Sequence, residues 1–217
     1  MDEKISRVAA LANAAAYDVE STRDYIDGAP HIKHVSLRTL YAKLLTDVYE
    51  YAAQYSPSPQ VLDLGAGEGS VTLPLLELGA RVTAIDLSSS QLETLGRRCE
   101  RFRDRLELRC EDVNETLRAR SQQYDVIVAN SFLHHIPDYL GLIREATGLL
   151  GSSGQFFSFQ DPLRYDTLGK PSKAFCDLAY FSWRIFKGDV WGGLRRRIRR
   201  SRGVYLVIPF KITLNIM

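Results

Sequence analysis

The chain has 217 residues, of which 45% are apolar and 25% charged, and a net charge of +2. That length is enough for one full α/β domain with a core of its own, in a composition ordinary for a soluble protein. No apolar run approaches the length that spans a membrane. Its three cysteines, Cys99, Cys110 and Cys176, are scattered. They match no zinc spacing and no disulfide framework, which points to a reducing cytoplasm.

In chain order, the N-terminus MDEKISRVAALANAAAY lacks a continuous apolar run and reads as no leader. Residues 3–17 predict an alanine-rich helix. A polar stretch from Asp18 to His34 follows. Apolar residues at helical spacing then predict a second helix from Leu37 to about Tyr55, broken by Ser56-Pro57-Ser58-Pro59. From there strands and helices alternate. The strands are Gln60–Leu64, Arg81–Asp86, Leu106–Cys110, Tyr124–Ala129 and Gly154–Gln160. The helices between them are Ser70–Leu78, closed by Gly79, then Ser88–Arg103, Val113–Arg120 and Asp138–Leu150. This alternation implies a doubly wound α/β fold: a mostly parallel, Rossmann-like sheet with helices on both faces. One domain is expected over residues 1–217, divided into a helical N-terminal part (1–56), a core (57–160) and an aromatic, basic C-terminal part (161–217).

The C-terminal part has its own character. Phe175, Tyr180, Phe181, Trp183, Phe186 and Trp191 make it aromatic. The segment from Arg184 to Arg202 carries +7, leaving −5 on the rest of the chain. Val204–Ile208 and Ile212–Ile216 are strand-like with Pro209 between them, an abbreviated strand region.

Ligands of open α/β sheets bind beyond the carboxyl ends of the strands, so the loops there are the candidate site. After the first strand comes Gly65-Ala66-Gly67-Glu68-Gly69. Glycines at alternate positions let a ligand lie on the backbone, although a tight turn alone would also use them. A dinucleotide fingerprint would place its third glycine at position 70, which is Ser70. Asp86 ends the second strand, where an acid can accept from both ribose hydroxyls. Its other reading, an N-cap for the following helix, is a role the serine run already fills. After the third strand, Glu111-Asp112-Val113 offers a carboxylate for an adenine amino group and an amide for a ring nitrogen, or again a helix cap. The fourth strand leads into Asn130-Ser131-Phe132-Leu133-His134-His135-Ile136-Pro137-Asp138.

This ordered set, over roughly Gln60 to Gln160, resembles the class I S-adenosylmethionine-dependent methyltransferase family, especially its branch acting on small molecules and quinone-type substrates. The resemblance implies S-adenosylmethionine as cofactor, with S-adenosylhomocysteine as product. Gly65, Gly67 and Gly69 would then cradle its methionine and ribose portion, and Asp63 would support the amino group. Asp86, with Leu87 beside it, would bind ribose, and Asp112 with Val113 would bind adenine. Asn130 and its neighbours would flank the sulfonium. The first 56 residues would fold over the cofactor as a lid, in which the phenols of Tyr17 and Tyr25 could hold the cofactor carboxylate or the substrate. Packing of both rings on the sheet is the other reading.

If the methyl acceptor is a hydroxyl or amine, a base near neutral pKa helps, and histidine suits that role. His134 and His135 are the candidates, with packing of the loop as the alternative. The four histidines fall in two pairs, His31/His34 and His134/His135. No carboxylate sits at the close spacing that completes a metal site, so no metal is expected. The loop after the fourth strand lacks the Pro-Pro-aromatic clamp and the Pro-Cys nucleophile, which argues against several nucleic-acid methyltransferase classes, though not all; a small-molecule substrate is what the resemblance implies. Arg195–Arg202 could contact phosphate, in peripheral contact with an anionic membrane or in nucleic acid, and the aromatic stretch from Tyr180 to Phe186 could form a substrate-pocket wall or a membrane-surface face; a solvated helix whose arginine stems cover apolar surface is the other reading. The short C-terminus would leave part of the acceptor pocket missing, or supplied by a partner chain in a homo-oligomer. Two rivals stand beside the methyltransferase: a cofactor-binding protein without turnover, and an NAD or nucleotide-sugar oxidoreductase, which would need a longer glycine loop and a Tyr-x-x-x-Lys pair.

Overall fold

The structure, a computed structural model, describes residues 34–119, 121–161 and 168–186. Tyr17, Tyr25, His31, most of the expected lid, the arginine run Arg195–Arg202 and the strand-like C-terminus lie outside the described residues. The chain divides into two units, Met1–Pro162 and Leu163–Met217.

In the first unit, helix α1 (Val35–Ala53) precedes the alternating elements β1 (Gln60–Leu64), α2 (Thr72–Leu78), β2 (Arg81–Asp86), α3 (Ser89–Arg98), β3 (Leu106–Cys110), α4 (Val113–Ala119), β4 (Tyr124–Asn130), α5 (Tyr139–Thr147) and β5 (Leu150–Phe159). The sheet order is β3-β2-β1-β4-β5, and every pairing is parallel. The direction of winding reverses at β1, so the crevice between the ends of β1 and β4 is the topological switch point.

Strand alternation sorts the core into two layers. Val61, Val82, Val126 and Val128 point to the side covered by α1, α2 and α3. Leu62, Leu64, Ile85, Ile127 and Ala129 point to the side of α4 and α5. Leu62, Leu64, Ile85 and Ile127 have no exposed surface, and burying each such side chain contributes roughly 1.5–3 kcal/mol. These layers hold the strand ends in register. Asp125 Oδ2, on β4, also accepts from the Gln60 amide at 2.8 Å, tying β4 to the start of β1.

Most boundaries fall within two residues of the sequence reading, and three differ by more. The helix after β2 ends at Arg98, not Arg103, and a turn of 3-10 helix, Glu100–Phe102, follows. Cys99 is fully buried there and Phe102 packs on the core, which pulls the chain in and tightens the turn to Phe102 N–Cys99 O, 2.8 Å. The helix before β5 stops at Thr147, with Gly148 after it. β5 starts at Leu150 and not Gly154, because the register shifts between Tyr124 and Val126 and lets Leu150 pair first.

In the second unit, α6 (Lys170–Phe186) places Phe175, Leu178, Tyr180, Phe181, Ile185 and Phe186 at exposed positions.

Candidate functional site

The loop after β1 is bent by its glycines. Gly65, Gly67 and Gly69 have φ of +72°, +52° and +89°, the left-handed region that disfavours a side chain. The structure divides their jobs. A Cβ at Gly65 would overlap the Phe132 ring, and one at Gly69 would overlap the Leu95 side chain. A Cβ at Gly67 would meet nothing closer than Gln91 Oε1 at 3.8 Å. Two of the glycines therefore admit neighbouring side chains, and Gly67 alone leaves its face open to a ligand.

Asp86 stands beside this turn at the end of β2. Its Oδ2 accepts from the Gly67 amide at 2.8 Å and its Oδ1 from the Ser88 amide at 2.9 Å. The N-cap of α3 is Ser88, whose hydroxyl accepts from Gln91 N. Asp86 thus holds the glycine turn, with Leu87 half-buried next to it. Asp112 accepts from the Asn114 amide at 2.8 Å at the start of α4, and Val113 behind it is buried.

Asp63 lies inside the β1 end, 1% exposed, and accepts from the Thr72 hydroxyl at 2.6 Å. Burial pushes its carboxyl up to about 7, against the opposing Thr72 hydrogen bond and with a smaller push from Asp86. Asn130 ends β4. Its Oδ1 is buried and has no hydrogen-bond partner. Leaving such an atom unpaired costs about 1–3 kcal/mol, a cost that a donor from a bound molecule could remove.

The loop after β4 turns at Ser131, φ +52°, whose amide bonds to Phe159 O at 2.8 Å. A 3-10 turn then carries His134 and His135, with ring centroids 4.0 Å apart. His134 is exposed, and its Nδ1 lies 2.9 Å from Asp161 Oδ1. Burial, and then the neighbouring His134, pull His135 down to about 4 against an opposing Asp161, so at neutral pH it is an uncharged, weak base. Of the second histidine pair, His34 is exposed at the N-cap of α1. Among the described residues no group of three or more His, Cys, Asp or Glu could hold a metal ion.

The sequence reading missed Asp161, Ser158 and Thr72. The signal for Asp161 was available: it is an acid directly after the predicted fifth strand, Gly154–Gln160, at the same carboxyl edge of the sheet where Asp86 closes β2. A groove of about 410 Å³ between α1 and α2 is lined by Tyr41, Leu45, Gly69, Ser70, Leu73 and Arg98 among others; it reaches the far end of the glycine turn through Gly69 but includes none of Asp63, Asp86, Asp112, Asn130 or His134.

Residues 62–156 match a family model described as a methyltransferase domain. Over 115 residues the chain is 29% identical to the ubiquinone biosynthesis O-methyltransferase of Coxiella burnetii, covering 53% of this chain and 46% of that protein. It is 32% identical over 109 residues to the protein of the same name from Methylocella silvestris, covering 48% and 42%. The chain thus spans just under half the length of these curated relatives. Among solved structures, the DhpI-SAM-HEP complex has a TM-score of 0.52 at 21% identity, covering 68% of this chain and 63% of that one. Magnesium protoporphyrin IX methyltransferase (ChlM) from Synechocystis, with bound SAM, has a TM-score of 0.51 at 18% identity, covering 65% and 72%. Both are likenesses of fold, in a parallel sheet flanked by helices. The glycine turn, Asp63, Asp86, Asp112 and Asn130 all lie inside residues 62–156, the segment that matches the methyltransferase-domain model and is similar in sequence to these O-methyltransferases.

Proposed function

We propose that the protein is an S-adenosylmethionine-dependent methyltransferase acting on a hydroxyl or amine of a small molecule. The observation that carries this reading is the methyltransferase-domain match over every loop of the switch-point crevice, where a buried Asn130 Oδ1 lacks a donor. In this reading Gly67 leaves room for the cofactor against the backbone, and Asp63 supports its amino group. Asp86 and Leu87 hold ribose, and Asp112 with the Val113 amide holds adenine. Asn130 faces the reactive end. When bound, the cofactor supplies a methyl group already activated on a sulfonium. The chain's own contribution is alignment and exclusion of water, plus a base for an acceptor that must lose a proton. His134, exposed and paired with a carboxylate, suits that base better than the half-buried, uncharged His135.

Isothermal titration with S-adenosylmethionine tests the assignment. Asp86→Ala removes charge-assisted bonds of about 1.5–3 kcal/mol each, so affinity should fall roughly 10- to 100-fold or more. Circular dichroism checks that the variant is folded. Unchanged affinity sinks the ribose assignment. Tight binding with no transfer across a broad acceptor panel would favour a cofactor-binding protein without turnover.

A lipid surface is the proposed partner of the C-terminal unit. Phe175, Leu178, Phe181, Ile185 and Phe186 are exposed on α6, and the arginine-rich run follows in the chain. An apolar helix face joined to positive charge is the combination that anionic lipid interfaces hold. Among the described residues no helix is long and apolar enough to cross a membrane.

A further inference from the structure

The loops after β4 and β5 are joined by a small polar network that the cofactor set does not use. Asp161 Oδ1 faces both the His134 amide, at 3.1 Å, and His134 Nδ1, at 2.9 Å. Its Oδ2 accepts from the Ser158 hydroxyl at 2.9 Å. Each contact comes from a different source: the 3-10 turn backbone, the imidazole and the end of β5. The side chain of Asp161 is largely covered and that of His134 is about one-third exposed, so the carboxylate sits behind the ring and not in front of it.

The backbone is bent to make this joint. Among the described residues, the non-glycine residues with positive φ are Ser131, at +52°, and Gln160, at +63°. Ser131 directly follows β4 and Gln160 directly follows β5. Such a conformation is strained and persists where the surroundings enforce it. The Ser131 amide is bound to Phe159 O at 2.8 Å, so the two bent residues sit on adjacent, bonded strand ends. One turns the chain toward His134 and the other toward Asp161.

We propose that Asp161 is the positioning residue of His134, holding its imidazole in the Nδ1–H tautomer so that Nε2 is the basic nitrogen offered to the methyl acceptor. A carboxylate only accepts hydrogen bonds, so the ring nitrogen facing it must carry the hydrogen. The second ring nitrogen then has its lone pair available. Nε2 takes the proton that the acceptor hydroxyl or amine loses on methylation, and Asp161 faces the positive charge this leaves on the ring. The proton afterwards returns to solvent through the exposed edge of His134. Ser158 fixes the far oxygen of Asp161, which stops the carboxylate from rotating away. The role as base rests on the methyltransferase reading; the tautomer does not.

The test is the ¹⁵N spectrum of the imidazoles in the full-length protein at a pH where His134 is neutral, with His134→Gln used to assign the signals. Wild type should show His134 as the Nδ1–H form. Asp161→Ala should convert it to a mixture rich in Nε2–H, and Ser158→Ala should shift the ratio part of the way while leaving Asp161 in place. A merely structural role for Asp161 would leave the tautomer unchanged. Nε2–H in the wild type, or the same tautomer in Asp161→Ala, overturns the proposal. S-adenosylmethionine titrated into the same samples should bind wild type and Asp161→Ala within about twofold of each other, because Asp161 is outside the cofactor set. Failure of the wild type to bind would count against the methyltransferase reading and the base role with it, in a measurement separate from the tautomer.

Discussion

At the scale of single residues, Asp63 carries the largest electrostatic consequence. Its folded-state carboxyl sits near 7 against 3.8 for an ordinary aspartate, chiefly because β1 and α2 exclude water from it. A carboxyl raised on folding holds its proton more tightly in the native state. Its contribution to stability is therefore present below about pH 4 and is lost as pH rises through about 7. Urea unfolding of wild type and Asp63→Asn at pH 5 and pH 8 should show the wild type losing ~2–4 kcal/mol more than the variant between the two, the size that a shift of this order implies. Comparing the two profiles cancels His135, which works in the opposite direction. Parallel profiles would mean that Asp63 titrates as an ordinary acid. The same charge matters for binding, since a cationic amino group wants the carboxylate.

At the scale of elements, the glycine turn separates packing from binding. Gly65→Ala forces a Cβ into the Phe132 ring at a positive φ, so strain and overpacking should together cost ~2–4 kcal/mol. Gly67→Ala meets only Gln91 Oε1 at 3.8 Å, so only the ~1–2 kcal/mol conformational penalty applies. Its added methyl projects into the open face, and S-adenosylmethionine affinity should drop at least tenfold for a small loss of melting temperature. Equal thermal losses in the two variants would refute this division. The glycine spacing alone announced a turn with a ligand against it. It could not say that Phe132, 67 residues away, sits on the first glycine. Strands β1, β2 and β3 were legible to the residue: Pro59 and Gly65 bracket β1, Gly79 comes shortly before β2 and Asp86 closes it, and the apolar-polar alternation of Leu106-Glu107-Leu108-Arg109 marks β3. The end of α3 was not, because the burial of Cys99 and Phe102 decides it and neither has a local signature.

At the scale of the whole molecule, the second unit is where a lipid partner would be tested. The full-length protein should sediment with vesicles containing phosphatidylglycerol and much less with phosphatidylcholine alone, and added salt should weaken the association. Phe175→Ser with Phe181→Ser removes two exposed rings of α6, each worth about 1.5–3 kcal/mol if buried in lipid, and should reduce partitioning by at least tenfold. Equal binding to both vesicle types, or a variant that binds as wild type does, would remove the lipid surface from the proposal.

The one-dimensional pattern by itself determined the alternation of strands and helices, the parallel sheet and the position of the glycine turn, Asp86, Asp112 and Asn130. Those follow from periodicity and from punctuation by Gly, Pro, Ser and Asp, which act over a few residues. Only the tertiary structure decided which carboxyl is buried and raised, which glycine is open, and which of two adjacent histidines has an acid behind it. His134 and Asp161 are 27 residues apart in the chain and 2.9 Å apart in space. That distance is set by the pairing of β4 with β5, a long-range contact that no local pattern of residues encodes.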